Sequence, residues 1–367
     1  MRRLLVSMVA VIALASVALA GCSQAAPAPA PTKAAEPAKA GDPTKAAAPA
    51  AQPTAAPAQP TAAAKVNWPE KGKTITIIVP VAAGGGSDVS TRVLTPTMEK
   101  VLGTNIEVVN KAGANQQVGH TEFVKAKPDG YTLAMTNLPT TFTNYLDADK
   151  KAIYDRTSFV PVAAPVLDPG IVVVKNDSPY KTMKDLVEAA KAKPESISIG
   201  ATGIMTAPHL MLLQAQKITG AKFNIVQFDK GAADATNALL GGHIDGQSGF
   251  IGDLYTQVKA GNFRALAVMD TERSPYLKDI PTMKELGYDL VSYTARGYSI
   301  QKGTPQGVVD TLEAAFKTAS SDPDVKKKQD EMGLTQKYIG SKEYAALWDS
   351  TEKDAKPLIE EIRASNK

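Results

Sequence analysis

The chain has 367 residues, with 41 Lys and Arg against 37 Asp and Glu, for a formal net charge of +4. Six of those bases and two of those acids precede residue 66, which leaves thirty-five of each sign in residues 66–367. That balance provides no basic field for nucleic acid and no polybasic run for a membrane surface, and the length suits two domains of roughly 100–200 residues each.

Arg2 and Arg3 lead into Leu4–Ala20, an unbroken run of apolar and small residues that reads as an export signal, residues 1–21. At 17 residues the run is short of the ~20 that span a bilayer comfortably. Leu19-Ala20-Gly21-Cys22 resembles the bacterial lipobox, so Cys22 is the expected lipidation site and the start of the mature chain. It is the only cysteine, which excludes an intramolecular disulfide and any cysteine-based metal cluster. Residues 23–65 hold 19 Ala and 9 Pro with no aromatic residue and no Val, Ile or Leu. Nothing there can offset the entropy of ordering, so residues 22–65 are expected to form a lipidated, disordered Ala/Pro tether.

From Thr74 the pattern changes. Thr74–Val79 reads as a buried strand, Asp88–Leu102 as a helix with an apolar face, Ile106–Val109 as a strand, 116–125 as a helix and Thr132–Met135 as a strand. A second set begins near Gly170, with Ile171–Val174 as a strand and a helix capped by Thr182. Ser196–Gly200 follows as a strand, then a helix with Pro208 at its first position, and strands at Ile225–Phe228, Ile244–Gln247 and Arg264–Met269. Gly297–Ile300 suggests a short extra strand, and Pro305–Ala319, Pro323–Met332 and Lys342–Ile362 are helical in pattern. Strand–helix alternation predicts a parallel-rich α/β sheet in two units, with ligand loops beyond the carboxyl ends of the strands.

The loop Val79-Pro80-Val81-Ala82-Ala83-Gly84-Gly85-Gly86-Ser87-Asp88 runs from strand into helix and offers successive N–H groups at a positive helix end. It lacks the Lys-Ser/Thr of a P-loop and the spacing of a dinucleotide fingerprint, so it is either an anion cradle or a plain turn. His120, His209 and His243 have no metal-ligand spacing, and Gly246–Phe250 lacks the second glycine of a nucleophile elbow. No metal, no cofactor and no enzymatic activity are expected.

Eight motifs in register carry a family resemblance. They are Ile78-Val79-Pro80, Gly84-Gly85-Gly86-Ser87-Asp88, Asn110-Lys111-Ala112-Gly113-Ala114, Lys127–Leu133, Leu239–Asp245, Arg264–Val268, Pro281–Gly287 and Gly303-Thr304-Pro305. Together they resemble the Bug family, the extracytoplasmic solute receptors of tripartite tricarboxylate transporters. The resemblance implies a two-lobed α/β fold of the periplasmic-binding-protein type II kind, a Venus-flytrap with two crossing strands. Lobe one would be 66–167 plus 269–367, and lobe two 168–268. It implies capture of a small mono-, di- or tricarboxylate and delivery to the membrane subunits of the transporter.

Carried onto this sequence, the family's ligand loop is Val81, Ala82, Ala83, Gly84, Gly85, Gly86 and Ser87, with Asp88 capping its helix. Asn137 falls in the second contact region, and Thr202, Gly203 and Thr206, ahead of His209, fall in the third, from the opposite lobe. Asp245 matches a family position and competes with a structural role at a strand end. Arg296 stands where relatives have an aromatic residue, either to clamp a distal carboxylate or as a solvated hinge arginine. Lys230 reads as structural, and small residues at 81–83 predict a roomier mouth. Gly85→Val is expected to abolish binding. A sensory co-receptor for a membrane kinase and an exported hydrolase are the alternative functions.

Overall fold

The computed structural model describes residues 67–365; the export signal, Cys22 and the whole Ala/Pro tether lie outside the described residues. β1 (Ile75–Val79), α1 (Gly86–Leu102), β2 (Ile106–Asn110), α2 (Gln117–Lys125) and β3 (Thr132–Leu138) alternate as read, and α3 (Thr140–Leu146) closes this set. β4 (Phe159–Lys175) then runs for 17 residues out of this sheet into a second one. There α4 (Met183–Ala192), β5 (Ser198–Ala201), α5 (Ala207–Thr219), β6 (Asn224–Gln227), α6 (Ala232–Leu240), β7 (Gly246–Phe250), α7 (Ile251–Lys259) and β8 (Phe263–Met269) follow. β9 (Tyr293–Gln301) returns to the first sheet, ahead of α8 (Gln306–Ser321), α9 (Pro323–Glu331), β10 (Gln336–Gly340) and α10 (Ser341–Ser365).

The strand order is β2-β1-β3-β9-β4-β7-β5-β6, with β8 and β10 also on β4. Outer strands are parallel, so Ile77 lies opposite Val108 on one side and Leu133 on the other. The centre is antiparallel: Phe159–Pro169 of β4 pair with β9, and Gly170–Lys175 pair with β8. The expected parallel-rich sheet is therefore a mixed one. The physical reason is β4 itself, which serves both sheets and takes antiparallel partners at each end. The part of it that pairs with β9 carries Pro161, Pro165 and Pro169, and a proline donates no ladder hydrogen bond. The register shifts twice there, between Pro161 and Ala163 and again before Val166.

Both faces of each sheet are covered, which explains the nearly continuous apolar strands. On β1, Ile75, Ile77 and Val79 pack under Leu94 and Met98 of α1 and Phe316 of α8, whereas Ile78 faces a cluster of Phe123, Phe142, Phe159 and Trp348. On β4, Val172 and Val174 meet Leu186 and Met211, and Ile171 and Val173 meet Leu239, Ile251 and Leu254. Each such side chain contributes roughly 1.5–3 kcal/mol of burial. Thr182 caps α4 with a capping box, as its sequence predicts. Pro208 sits one position further in than read, since Thr206 is the N-cap of α5 and Ala207 its first residue.

Candidate ligand cleft between the two sheets

The cleft is built from helix starts. Every strand-to-helix loop on its rim brings the first turn of a helix to one cavity of about 60 Å³. Gly86 and Ser87 come from α1, Gln116 from the start of α2, Thr206 and Pro208 from α5, Gly231 and Ala232 from α6, and Phe250 and Asp253 from α7. All five of these helices lack a side-chain cap. Away from the cavity, α4 and α9 are capped by Thr182 and Asp322, whereas α8, which starts after Pro305, has no side-chain cap. The first N–H groups of a helix have no partner within it and carry about half a positive charge. Ala207 N of α5 is taken by Thr140 Oγ1, Gly252 N of α7 by Asp168, and Gln117 N and Val118 N of α2 by Ala114 O and Gly113 O, so α1 and α6 are the starts whose first donors remain for a ligand.

The two walls come from different sheets and touch. Asn115 Nδ2 donates to Ile204 O at 2.8 Å, Ala207 N donates to Thr140 Oγ1 at 3.2 Å, and Ala82 N donates to Lys230 O at 3.2 Å. Ala114, Asn115 and Gln116 have φ of 44°, 54° and 78°, and Met205 opposite has φ 62°. Left-handed non-glycine residues are uncommon and strained by about 1–3 kcal/mol each, a cost that clusters at ligand clamps.

Val81, Ala82, Gly85, Gly86, Ser87, Asn137, Thr202, Thr206 and Arg296 line the cavity. The remaining sequence candidates do other work. Gly84 N donates to Asp88 Oδ2 at 2.9 Å, so that donor of the glycine loop is already used, and Ala83 is not in the lining. Gly203 is a packing glycine, because a side chain there would run into Asn115. His209 Nδ1 accepts from Met205 N at 3.0 Å and orders the loop without lining the cavity. Asp245 is corrected to the structural role: it precedes β7, while the cavity lies past the other end of that strand. Its carboxylate accepts from Ser198 N at 2.8 Å and Ser198 Oγ at 2.6 Å.

Arg296 is neither a solvated hinge residue nor a free clamp. It is 2 % exposed and donates to Asp168 Oδ2 from Nη2 at 2.6 Å and Nε at 3.0 Å, to Ser87 Oγ at 2.6 Å and to Asp253 Oδ1 at 3.0 Å. One side chain of β9 thereby ties α1, β4 and α7 together at the base of the cleft. At the mouth Gly231 comes in against Val81, with its would-be Cβ 3.6 Å from Val81 Cβ. Sequence reasoning missed Asn115, Gln116, Thr140, Asp229, Phe250 and Asp253, which all line the cavity. The run Asn115-Gln116-Gln117 directly before a helix was an available signal.

Burial pushes His120 and His209 down to about 4 and pushes Asp168 up to about 6, against the pull of Arg296. The unfolded chain therefore protonates both histidines before the folded one does. Their full contribution is present above about 6.5 and is lost as pH falls toward 4, roughly 1–2 kcal/mol each between pH 6.5 and 5. Asp168 works the other way: its ionisation penalty grows from about pH 4 to 6, so acidification returns stability. Two losses outweigh one gain, and Tm is expected to fall from pH 7 to pH 5. Differential scanning fluorimetry of the protein and of His209→Asn checks this: the variant should fall less, and a wild-type Tm that rises would contradict the account.

Among the described residues, no helix is long and apolar enough to cross a membrane, and no group of three or more His, Cys, Asp or Glu could hold a metal ion. The model of the tripartite tricarboxylate transporter family receptor matches residues 90–364. The chain belongs to that receptor family. A Cupriavidus necator protein, the UPF0065 protein in the gbd 5' region, is 31% identical over 311 residues, covering 83% of this chain and 91% of that protein. A solved periplasmic transporter structure is 31% identical with a TM-score of 0.76, covering 79% of this chain and 97% of the other. The periplasmic binding protein BugD is 28% identical with a TM-score of 0.72, covering 78% and 97%. These likenesses bear out the Bug-family resemblance and the two-lobed α/β receptor fold read from the sequence. The family is one of solute receptors, so the chain is a binding protein and not an enzyme, and the family's place is extracytoplasmic.

Proposed function

We propose that this receptor closes on a small organic carboxylate in the cleft and delivers it to the membrane subunits of a tripartite transporter. The carrying observation is the convergence of five helix starts on one cavity, with the first donors of α1 and α6 left for an anion. A carboxylate there gains charge-assisted hydrogen bonds from backbone N–H groups, worth roughly 1.5–3 kcal/mol each before desolvation. The cations that reach the lining are Lys230 at the mouth and Arg296 at the base, and Arg296 already answers two aspartates. The anion is therefore met by dipoles, in a cleft whose walls separate by a hinge motion.

We assign residues 66–167 to one lobe and 168–268 to the other, supported by the passage of β4 from sheet to sheet, with residues 269–292 going to the second lobe, on whose core Leu277, Met283 and Leu290 pack, and the chain from β9 onward to the first. Residues 1–21 act as the export signal, Cys22 as the lipid anchor and the following Ala/Pro segment as a spacer from the membrane. The test is uptake by a deletion strain. The strain should lose import of the acid that stabilises the purified receptor, and plasmid-borne receptor should restore it. Unimpaired import, with loss of a transcriptional response to that acid, would replace transport with signalling. A Cys22→Ala form released from the membrane fraction supports the anchor, and one that stays membrane-bound contradicts it.

A further inference from the structure

The cavity wall offers acceptors as well as donors. Asn115, Gln116 and Asn137 line it at 4 %, 8 % and 6 % exposure, and each has a buried side-chain amide oxygen without a hydrogen-bond partner. Buried polar atoms are nearly always paired, and of the five buried amide oxygens without a partner among the described residues, three line this one cavity. The amide orientation of Asn115 follows from its neighbours, since Nδ2 donates to the Ile204 carbonyl at 2.8 Å and Oδ1 must be the free atom. That oxygen lies beside Gly203, at the far wall. Asn137 Nδ2 donates to Ser87 Oγ at 3.2 Å, and the same oxygen accepts from Arg296 Nη1 at 2.6 Å, which leaves Asn137 Oδ1 facing no donor. The left-handed turn at 114–116 sets Asn115 and Gln116 in this wall.

A plain carboxylate satisfies the helix starts but brings only lone pairs to these oxygens. We infer that the ligand is a carboxylic acid that carries its own hydrogen-bond donor, a hydroxy acid or an amino acid. This rests on the carboxylate reading above and narrows it. The carboxylate lies against the backbone N–H groups, and the O–H or N–H group answers Gln116 and Asn137. A site built to hydrogen-bond such a group discriminates strongly against the analogue without it, because its acceptors are then left buried and unpaired. Asp253 and Asp168 share the single charge of Arg296, so the base of the cleft carries an excess negative charge that suits an ammonium as well as a hydroxyl.

The test is isothermal titration of the full chain with matched acids of three to six carbons, each skeleton as the plain, the hydroxy and the amino acid. In the skeleton that binds tightest, a donor-bearing member should bind at least tenfold more tightly than the plain acid, and the hydroxy and amino arms identify which donor is read. A plain acid that binds as tightly as both partners overturns this inference and leaves the carboxylate reading standing. No heat from any acid, with binding of a sugar or a cation, overturns both. Gln116→Leu adds a second readout: it should weaken the donor-bearing acid at least fivefold more than the plain acid, and an equal loss for the two overturns the assignment.

Discussion

Arg296→Met should cost the folded protein about 3–5 kcal/mol at pH 7.5, a fall in Tm of roughly 10 °C for a domain of this size. Arg296 and Asp168 are 2 % and 0 % exposed, and Asp253 is 9 % exposed. Removing the guanidinium strands two carboxylates whose solvation cannot be restored. Gly252 N still donates to Asp168 at 3.1 Å, but one backbone donor does not offset a buried charge. The loss should shrink at pH 5, since Asp168 already takes up a proton near 6 with the arginine in place and takes it up earlier without it. Asp168→Asn in the same background should recover part of the stability. Arg296→Lys keeps the charge and loses the fork, so it should fall between the two. Thermal melts of the four proteins at both pH values check the series. An Arg296→Met protein that melts within 2 °C of wild type at pH 7.5 would show the cluster to be energetically idle.

Gly86→Ala should weaken ligand binding by at least thirtyfold, about 2 kcal/mol, and should also lower the melting point of the unliganded protein, because the new Cβ falls on the Asp253 carboxylate that pairs with Arg296. A Cβ at Gly86 would meet the Asp253 side chain and would stand 2.8 Å from the carbonyl oxygen and 3.0 Å from the carbonyl carbon of Gly252. Backbone cannot give way as a flexible side chain does, so α1 and α7 would be wedged apart and the cleft held open. Gly86 has no left-handed φ, so alanine is tolerated within its own helix, and the effect comes from the approach of the two walls and the Asp253–Arg296 pair between them. The sequence suggests Gly85 as the sensitive position, yet a Cβ there meets only Ala82 O at 3.8 Å. Calorimetry of Gly86→Ala against the tightest acid checks this prediction, and an affinity within threefold of wild type would contradict it.

The contrast between Gly85 and Gly86 shows what was legible. The order β1, α1, β2, α2, β3 follows from periodicity and β-branched runs, and the boundaries differ by a few residues. The glycine loop is readable as a helix start, because Gly and Ser mark the entry of a helix whatever it packs on. What it packs on is not local information: Gly86 and Gly252 meet across 166 positions of chain. Arg296 is the same case, since its partners lie on α1, β4 and α7. Its strand reads as a short extra segment because Tyr293, Thr294, Arg296 and Ser299 interrupt the apolar pattern. Of those, Ser299 pairs with Thr136 and Arg296 with Ser87, Asp168 and Asp253 inside the fold, and β9 is a central strand. The first half of β4 is hidden by its prolines. α3 is hidden by the run Thr140–Asn144, rich in β-branched and aromatic residues that favour strands. Asp245, of the two readings its family position allows, takes the structural one: it stands just before β7 and its carboxylate accepts from Ser198.

The most direct measurement is a thermal-shift screen of the full chain against small organic acids, with sugars and metal cations as controls. A ligand at about 100 times its Kd adds roughly 2.7 kcal/mol of stability, enough to raise Tm by several degrees. The account predicts a shift confined to a subset of carboxylates and abolished in Gly86→Ala. A flat response to every acid, with a clear shift for a sugar or a cation, would contradict the assignment of the helix-lined cavity as a carboxylate site.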